Sequence, residues 1–147
     1  CVAAAHAGWR GLAGPGGIGV LEQISKRFCA LAHIQQAQAA ANVIAWLGPC
    51  IGPDTFEVGE EVRAAFVAHT PQAAQFFRPA PGGKWLADLA GLARQRLVAL
   101  GIRQIYGNDS SPAWCTVGNP SRFFSHRRDR VSGRFAACIW MDGGRGL

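Results

Sequence analysis

The sequence predicts one α/β domain of the α+β type, built on a mixed sheet, because helical and strand patterns alternate along the chain. Apolar residues recur at three- and four-residue steps over residues 18–32, as on the buried face of an amphipathic helix. Two short apolar runs, residues 42–47 and 102–106, are typical of strands, and the first is expected to be buried. A length of 147 residues fits a single domain.

The first candidate site lies near the start of the chain. Residues 2–5 predict a small-residue strand that ends at His6, and Arg10 and a glycine-rich loop at residues 14–19 follow. Imidazole titrates near neutral pH and is a frequent metal ligand. Guanidinium offers a planar fork of donors to phosphate, and glycine backbone N–H groups can approach an anion closely. The alternative is that the histidine and the glycines only shape turns, because no general motif template matches this loop.

The middle of the chain predicts two further helices. Asp54 and Glu57 resemble a helix-start signal. Three apolar residues at helical spacing give that helix a buried stripe: Val58, Val62 and Phe66. A polar, proline-containing connection over residues 70–83 leads to a helix over residues 85–100, which Gly101 ends.

The end of the chain predicts a strand and a tail. Residues 134–141 are apolar and are expected to form a closing strand. Residues 142–147 are rich in glycine and are expected to be disordered.

Composition limits the class of protein. Charged residues are 16% of the chain, below the roughly 25% that is typical, which indicates that part of the surface is normally covered. No apolar run approaches the ~18 residues of a membrane span, and no signal-peptide pattern opens the chain, so a cytoplasmic protein is expected. Five cysteines without a CxxC pair suit reduced thiols better than a disulfide framework.

Three polar residues outside the first candidate site carry both a functional and a structural interpretation. Cys115, followed by Thr116, is a candidate nucleophile with His126 as its base, although no spacing rule links the thiol to that imidazole. Cys50 is expected to be a small buried residue. Asp88 is expected to pair with a basic group in a structural role.

A mixed aromatic and polar segment, residues 123–129 (FFSHRRD), is the last candidate site. An aromatic face can stack a purine, and an arginine can hold phosphate. In the structural alternative the two phenylalanines belong to the core, and Arg127 or Arg128 pairs with Asp129.

Three blocks occur in one order: HAGWRG at residues 6–11, LGPCIGP at 47–53 followed by FEVGEEV, and CT…FFSHRRD…GR at 115–134. Together they resemble the YfiH-like family, also called the DUF152 or multicopper polyphenol oxidase (laccase) family. Its members are described as purine nucleoside phosphorylases. The resemblance covers nearly the whole chain, and the three blocks jointly are specific.

The resemblance implies a layered α/β/β/α arrangement, shared with the catalytic domain of cytotoxic necrotizing factor. It also implies a metal site of two histidines and one cysteine, of which only His6 falls within this sequence. The other His and the Cys are expected upstream of Cys1, the latter in an Ala-Asp-Cys block. The 147 residues are therefore expected to be the C-terminal part of a longer domain, inactive by themselves.

The activity that the resemblance implies is cleavage of a purine nucleoside (adenosine, inosine or methylthioadenosine) by phosphate, with adenosine deamination as a further activity. The metal is expected to be zinc, or alternatively copper. The residues assigned to phosphate and to the nucleoside are Arg10, Gly16, Gly17, Phe124, Ser125, His126 and Arg127. Two alternatives are copper-dependent polyphenol oxidation and a basic nucleic-acid-binding module, since the net charge of +6 concentrates at residues 122–134.

Overall fold

The computed structural model describes residues 1–35, 37–38 and 42–141. The helices are α1 (Trp9–Ala13), α2 (Val20–Ala32), α3 (Glu60–Val67), α4 (Leu89–Ala99) and α5 (His126–Asp129). The strands are β1 (Ile44–Leu47), β2 (Glu57–Val58), β3 (Phe77–Ala80), β4 (Lys84–Ala87) and β5 (Gln104–Gly107). The disordered tail predicted for residues 142–147 lies outside the described residues.

Two sheets carry the strands. In the first, β1 and β5 run parallel, with Ile44 opposite Gln104 and Leu47 opposite Gly107. The second is antiparallel in the order β2–β4–β3. The mixed α/β fold class predicted from the sequence is therefore confirmed.

The core lies between the antiparallel sheet and the helices. The Phe66 ring of α3 packs 6.1 Å from the Phe77 ring of β3, centroid to centroid. The remaining buried apolar residues of this cluster come from α1 and from the chain between β1 and β5: Leu12, Ala13, Phe56, Val58, Val62, Ala73, Ala87, Leu89 and Leu92. Since apolar burial is the dominant favourable term in folding, this cluster fixes how the helices sit on the sheet.

The helix predicted after Asp54 starts later than the sequence signal indicated. Glu57 and Val58 form β2, and α3 begins only after Gly59. The reason is that Val58 pairs with Trp85 of β4, so its backbone is committed to a sheet. The predicted burial of the apolar stripe is confirmed, although its first member reaches the core from a strand.

The helix predicted over residues 85–100 was wrong at its beginning. The first residues of that range belong to β4, and α4 starts at Leu89. Asp88 caps this helix, because its carboxylate accepts from the Gly91 N–H at 2.8 Å and from the Ser110 hydroxyl at 2.7 Å. Its role is structural, but its partners are a backbone N–H and a hydroxyl instead of the expected basic group.

The strands predicted at residues 2–5 and 134–141 are not formed, because no neighbouring strand among the described residues supplies hydrogen bonds to either segment. Both segments are irregular and exposed, and the Cys1 ammonium lies 3.0 Å from the Met141 sulfur. The strand predicted at 42–47 is present as β1, but its expected burial was wrong. Ile44 is 64% exposed and Trp46 is 53% exposed, because nothing in the described residues covers that face.

In the part of the chain that the structure describes, no helix combines the length and the apolar character needed to cross a membrane. The longest of the helices above, α2, has 13 residues.

Candidate functional site

Two loops meet at one edge of the parallel sheet. Because β1 and β5 are parallel, the chain leaves both strands at the same edge. Cys50, after β1, and Cys115, after β5, then form a β-bridge. The Thr116 N–H donates to the Cys50 carbonyl at 2.9 Å. These contacts hold the two loops side by side.

Asn108 also connects these two loops. Its buried side-chain amide donates to the Gly48 carbonyl at 3.1 Å and to the Cys50 sulfur at 3.3 Å. Its side-chain oxygen accepts from the Ser110 N–H at 2.9 Å. A single amide thus positions both strand exits.

The Cys115 sulfur lies among hydrogen-bond donors. The N–H groups of Gly52 and Gly118 each donate to it at 3.3 Å. The Thr55 hydroxyl lies 3.4 Å away. Burial works to raise the pKa of the Cys115 thiol, but the hydrogen bond shared with Thr55 and those from backbone N–H groups outweigh it, and the pKa is lowered. The Cys115 thiol is thereby more acidic than an ordinary cysteine.

Cys50 has the opposite environment. Burial raises the pKa of its thiol to about 11, against the lowering effect of the Asn108 hydrogen bond. The nearby Asp88 and Cys115 charges raise it further. The two thiols of the β-bridge therefore differ in acidity.

A cavity of about 330 Å³ opens beside Cys115. Its lining comes from both loops: Gly52, Pro53, Asp54, Thr55, Ser110, Pro112, Ala113, Cys115, Gly118 and Asn119. Gly52 has to lack a side chain, since a Cβ there would lie 2.9 Å from the Cys115 Cβ.

Sequence reasoning missed four residues of this site, although the two cysteines following predicted strands were a usable signal: Gly52, Thr55, Asn108 and Gly118.

His126 forms no hydrogen bond with the Cys115 thiol among the described residues. The imidazole is exposed at the start of α5 and does not appear among the hydrogen-bond partners of the sulfur in the described residues. The partners of the sulfur are backbone N–H groups and a hydroxyl, and the thiol–imidazole pair stays a prediction.

His6 and Arg10 lie in and just after the exposed N-terminal segment. The Arg10 guanidinium stacks over the Trp9 ring at 4.4 Å from its centroid. Neither side chain forms an ion pair or a hydrogen bond with residues 1–35, 37–38 or 42–141. Both groups are open to solvent and to a ligand.

The side chains of the described residues do not by themselves form the implied metal site. No group of three or more His, Cys, Asp or Glu residues among the described residues is placed to hold a metal ion. His6 alone does not fit such an ion, so donors from outside these residues would have to complete the site.

The glycine loop is held by its own backbone and by two charged side chains. The Gly17 N–H donates to the Gly14 carbonyl at 3.4 Å, and the Gly19 N–H donates to Glu22 at 2.7 Å. Arg96 donates to the Gly17 carbonyl. Gly16, at a φ of 60°, is exposed at the tip of the loop.

In the segment over residues 123–129, the arginine clasp of the structural alternative is formed, and Arg128 is the arginine that makes it. Arg128 donates to both carboxylate oxygens of Asp129 at 2.7 Å and to the Phe123 carbonyl at 3.1 Å. The hydrogen bonds of Arg128 lower the pKa of Asp129. Ser125 is buried and caps α5 by accepting from the Arg128 N–H at 3.4 Å.

Phe124 and Arg127 differ in their availability to a ligand. Phe124 is 52% exposed and is not a core residue, contrary to the structural alternative. The Arg127 guanidinium donates to the Glu57 carbonyl at 3.3 Å and lies 5.7 Å from the Phe56 ring centroid. An aromatic face is thus available here.

Four of the five arginines of the basic stretch form local hydrogen bonds, but among the described residues only Arg128 is paired with a carboxylate, so the nucleic-acid module stays an alternative. Besides Arg127 and Arg128, Arg122 donates to the Ala113 carbonyl at 3.4 Å, and Arg134 donates to the Ser132 carbonyl at 3.1 Å. Nonspecific nucleic-acid binding depends on cations that are free to meet phosphates.

The fold and the site define a mixed α/β domain with a cysteine-containing site at the carboxyl ends of two parallel strands. Residues 1–142 match the family described as multi-copper polyphenol oxidoreductase laccase. The chain belongs to this family, as the three sequence blocks predicted.

Relatives of known name and structure resemble the chain along most of its length. The purine nucleoside phosphorylase YfiH of Escherichia coli (strain K12) is 48% identical over 140 residues, which are 95% of this chain and 51% of that protein. The crystal structure of a Neisseria meningitidis DUF152 protein has a TM-score of 0.68 and 42% identity, covering 85% of this chain and 45% of that one. The crystal structure of YlmD from Geobacillus stearothermophilus has a TM-score of 0.70 and 31% identity, covering 86% and 43%. The chain spans about half the length of the curated relatives it matches.

Proposed function

We propose that this protein cleaves purine nucleosides with phosphate, releasing the free base and a ribose 1-phosphate. Adenosine, inosine and methylthioadenosine are the proposed substrates. Support comes from the 48% identity to a protein named purine nucleoside phosphorylase. The structural observation that carries the proposal is the Arg10 guanidinium, which no carboxylate of the described residues neutralises.

Arg10 is proposed to hold the phosphate. Phosphorolysis requires an anionic nucleophile positioned at the anomeric carbon while negative charge builds on the departing base. A guanidinium binds two phosphate oxygens at once, and its stacking on Trp9 limits its orientations. Gly16 and Gly17, in the loop after α1, are proposed to assist, with the Gly16 N–H at the exposed loop tip as the donor, because the Gly17 N–H already bonds the Gly14 carbonyl.

The nucleoside is proposed to contact the segment that includes Phe124 and His126. Both side chains are exposed, and a purine can stack on a phenyl face. Ser125 supports this segment by capping α5, and Arg127 tethers it to β2.

Zinc, or alternatively copper, bound through His6 stays a prediction that rests on the family resemblance. Adenosine deamination stays a prediction in the same way. Incubation of the protein with adenosine, followed by measurement of ammonia beside adenine, distinguishes deamination from cleavage. Ammonia release that disappears in a His6→Ala variant would support a role of this imidazole.

The test of the Arg10 assignment is a comparison of two stacked arginines. Arg63 lies over the Trp85 ring at the same 4.4 Å as Arg10 over Trp9, but it is paired with Glu60 at 3.0 Å. We expect Arg10→Ala to lower kcat/KM for phosphate by about 10- to 100-fold, the effect of losing a charge-assisted hydrogen bond. Arg63→Ala should leave it unchanged. Equal phosphate dependence in both variants would show that Arg10 does not bind phosphate.

Polyphenol oxidation is the second candidate, because the family description names a laccase. The four histidines are exposed and lie in separate parts of the fold: His6, His33, His69 and His126. Several coppers need several grouped imidazole ligands. Elemental analysis showing several coppers per chain, together with oxygen uptake on phenols, would favour oxidation over phosphorolysis.

A further inference from the structure

The strongest unassigned chemistry in the structure is the thiol pair at the parallel sheet edge. Cys115 receives hydrogen bonds from two backbone N–H groups at 3.3 Å, and the Thr55 hydroxyl lies at 3.4 Å. Such donors stabilise a thiolate, which is the reactive form of cysteine towards oxidants.

Cys115 is reachable although most of its surface is buried. It is 7% exposed, and it forms part of the wall of the 330 Å³ cavity. A water molecule occupies about 30 Å³ in the liquid, so a hydroperoxide fits this space easily. The mouth of the cavity includes the exposed Asp54 and Pro112.

The backbone of Cys50 lies close enough to that of Cys115 for a disulfide between them. The two cysteines are opposite each other in a β-bridge. Neighbouring strands are about 4.8 Å apart, and disulfide-linked Cα atoms are usually about 4.4–6.8 Å apart. Asn108 donates to the Cys50 sulfur at 3.3 Å and can stabilise its thiolate when it attacks.

We propose that Cys115 and Cys50 form a hydroperoxide-sensitive pair, in which Cys115 is oxidised first and Cys50 then closes a disulfide between the two loops. This inference does not rest on phosphorolysis, and it concerns residues other than those proposed for phosphate and nucleoside.

Atoms and electrons balance in both steps of this oxidation. The Cys115 thiolate attacks one peroxide oxygen, the O–O bond breaks, and a sulfenic acid forms while the other oxygen leaves as water or an alcohol with a proton from solvent. The Cys50 sulfur then attacks the sulfenic sulfur, the S–O bond breaks, and the oxygen leaves as water with the Cys50 proton. Two electrons pass from the two thiols to the peroxide.

The other cysteines provide an internal control. Cys1 and Cys138 are exposed, whereas Cys29 is buried. Accessibility alone predicts that Cys1 and Cys138 react first. The hydrogen bonds around Cys115 predict the opposite order.

The experiment treats the purified protein with one equivalent of hydrogen peroxide at pH 7, blocks remaining thiols, and identifies modified peptides by mass spectrometry. We expect a Cys50–Cys115 disulfide before Cys1 or Cys138 is oxidised. In Cys50→Ser, a sulfenic-acid trap such as dimedone should label Cys115. In Thr55→Val, oxidation of Cys115 should slow by about threefold to tenfold, the effect of one lost hydrogen bond, and Thr55→Ser should restore the rate.

Two results would overturn the proposal. One is oxidation confined to Cys1 and Cys138, with Cys50 and Cys115 recovered as thiols. The other is a Cys115 sulfenic acid that accumulates in the unmodified sequence without any disulfide to Cys50. The competition among the five cysteines needs no variant, so it decides the matter even where Thr55→Val fails to fold.

Discussion

Arg96 of α4 and Glu22 of α2 form a partly buried ion pair, with nitrogen and oxygen 3.0 Å apart. The same arginine donates to the Gly17 carbonyl, and the same carboxylate accepts from the Gly19 N–H at 2.7 Å. The pair therefore connects two helices and also fixes the loop that precedes α2. The position of the proposed phosphate loop depends on residues 74 positions apart in sequence.

Replacing Arg96 by lysine should lower the free energy of unfolding by about 2 kcal/mol, because an ammonium cannot reach Glu22 and the Gly17 carbonyl with the geometry of the guanidinium fork. Chemical denaturation measures the change. Arg103→Lys is the control, since Arg103 is exposed and should tolerate the change within about 0.5 kcal/mol. Equal stability of the two variants would mean that the pair contributes nothing.

Arg128 should be similarly intolerant of lysine. Its guanidinium donates to the carbonyls of Thr116 at 2.9 Å and Phe123 at 3.1 Å, besides both oxygens of Asp129. We expect Arg128→Lys to lower the unfolding free energy, because an ammonium cannot make the same set of hydrogen bonds as the guanidinium. The hydrogen bond to Arg128 lowers the pKa of Asp129, so the contribution of the pair is present at neutral pH and is lost as pH falls through that lowered pKa. A wild-type-like denaturation curve at pH 7 would contradict this role.

Asp88 gives a third prediction, since its carboxylate both caps α4 and accepts from Ser110. Asp88→Ala should cost about 2 kcal/mol of stability, the sum of a lost cap and a lost hydrogen bond. Asp88→Asn keeps a side-chain acceptor and should cost less than about 1 kcal/mol. Thermal unfolding of the two variants makes the comparison, and an equal loss for asparagine and alanine would mean that the charge, and not the capping acceptor, matters.

The raised pKa of the Cys50 thiol predicts that the protein loses stability in alkaline solution. Its pKa is raised to about 11 in the folded protein from an ordinary value of 9.0, so between these values the unfolded chain releases a proton that the folded chain retains. The contribution of this thiol to the free energy of unfolding is fully present below pH 9. It falls by about 2 kcal/mol as pH rises to 11. In Cys50→Ser the fall should be smaller by that amount. Parallel pH profiles for the two proteins would show that the thiol is not protected from ionisation.

Helices that the sequence pattern marked strongly were predicted well, and α2 starts within two residues of the expected position. The errors arose where tertiary pairing decided the backbone. The sequence around Trp85 has a helical pattern. In the fold, however, this segment is β4, which pairs with β2 on one side and β3 on the other, and such pairing between distant segments leaves no trace in a local pattern. The strand predicted before His6 needed partners that the described residues do not supply.

The candidate site was predictable only in part for a similar reason. Two cysteines after two predicted strands were visible in the sequence, but a β-bridge between Cys50 and Cys115 depends on the parallel pairing of β1 with β5. The donors around Cys115 are mainly backbone N–H groups, which have no sequence signature of their own. The Arg128 clasp was foreseen because charge pairing between neighbouring residues is local.

The most direct test of the proposed activity is to identify the sugar product formed from adenosine or inosine by the purified protein. Phosphorolysis predicts that the free base and ribose 1-phosphate form in equal amounts, and that neither forms without phosphate. Free ribose formed at the same rate with or without phosphate, or no release of base from any of the three proposed nucleosides, would contradict the account.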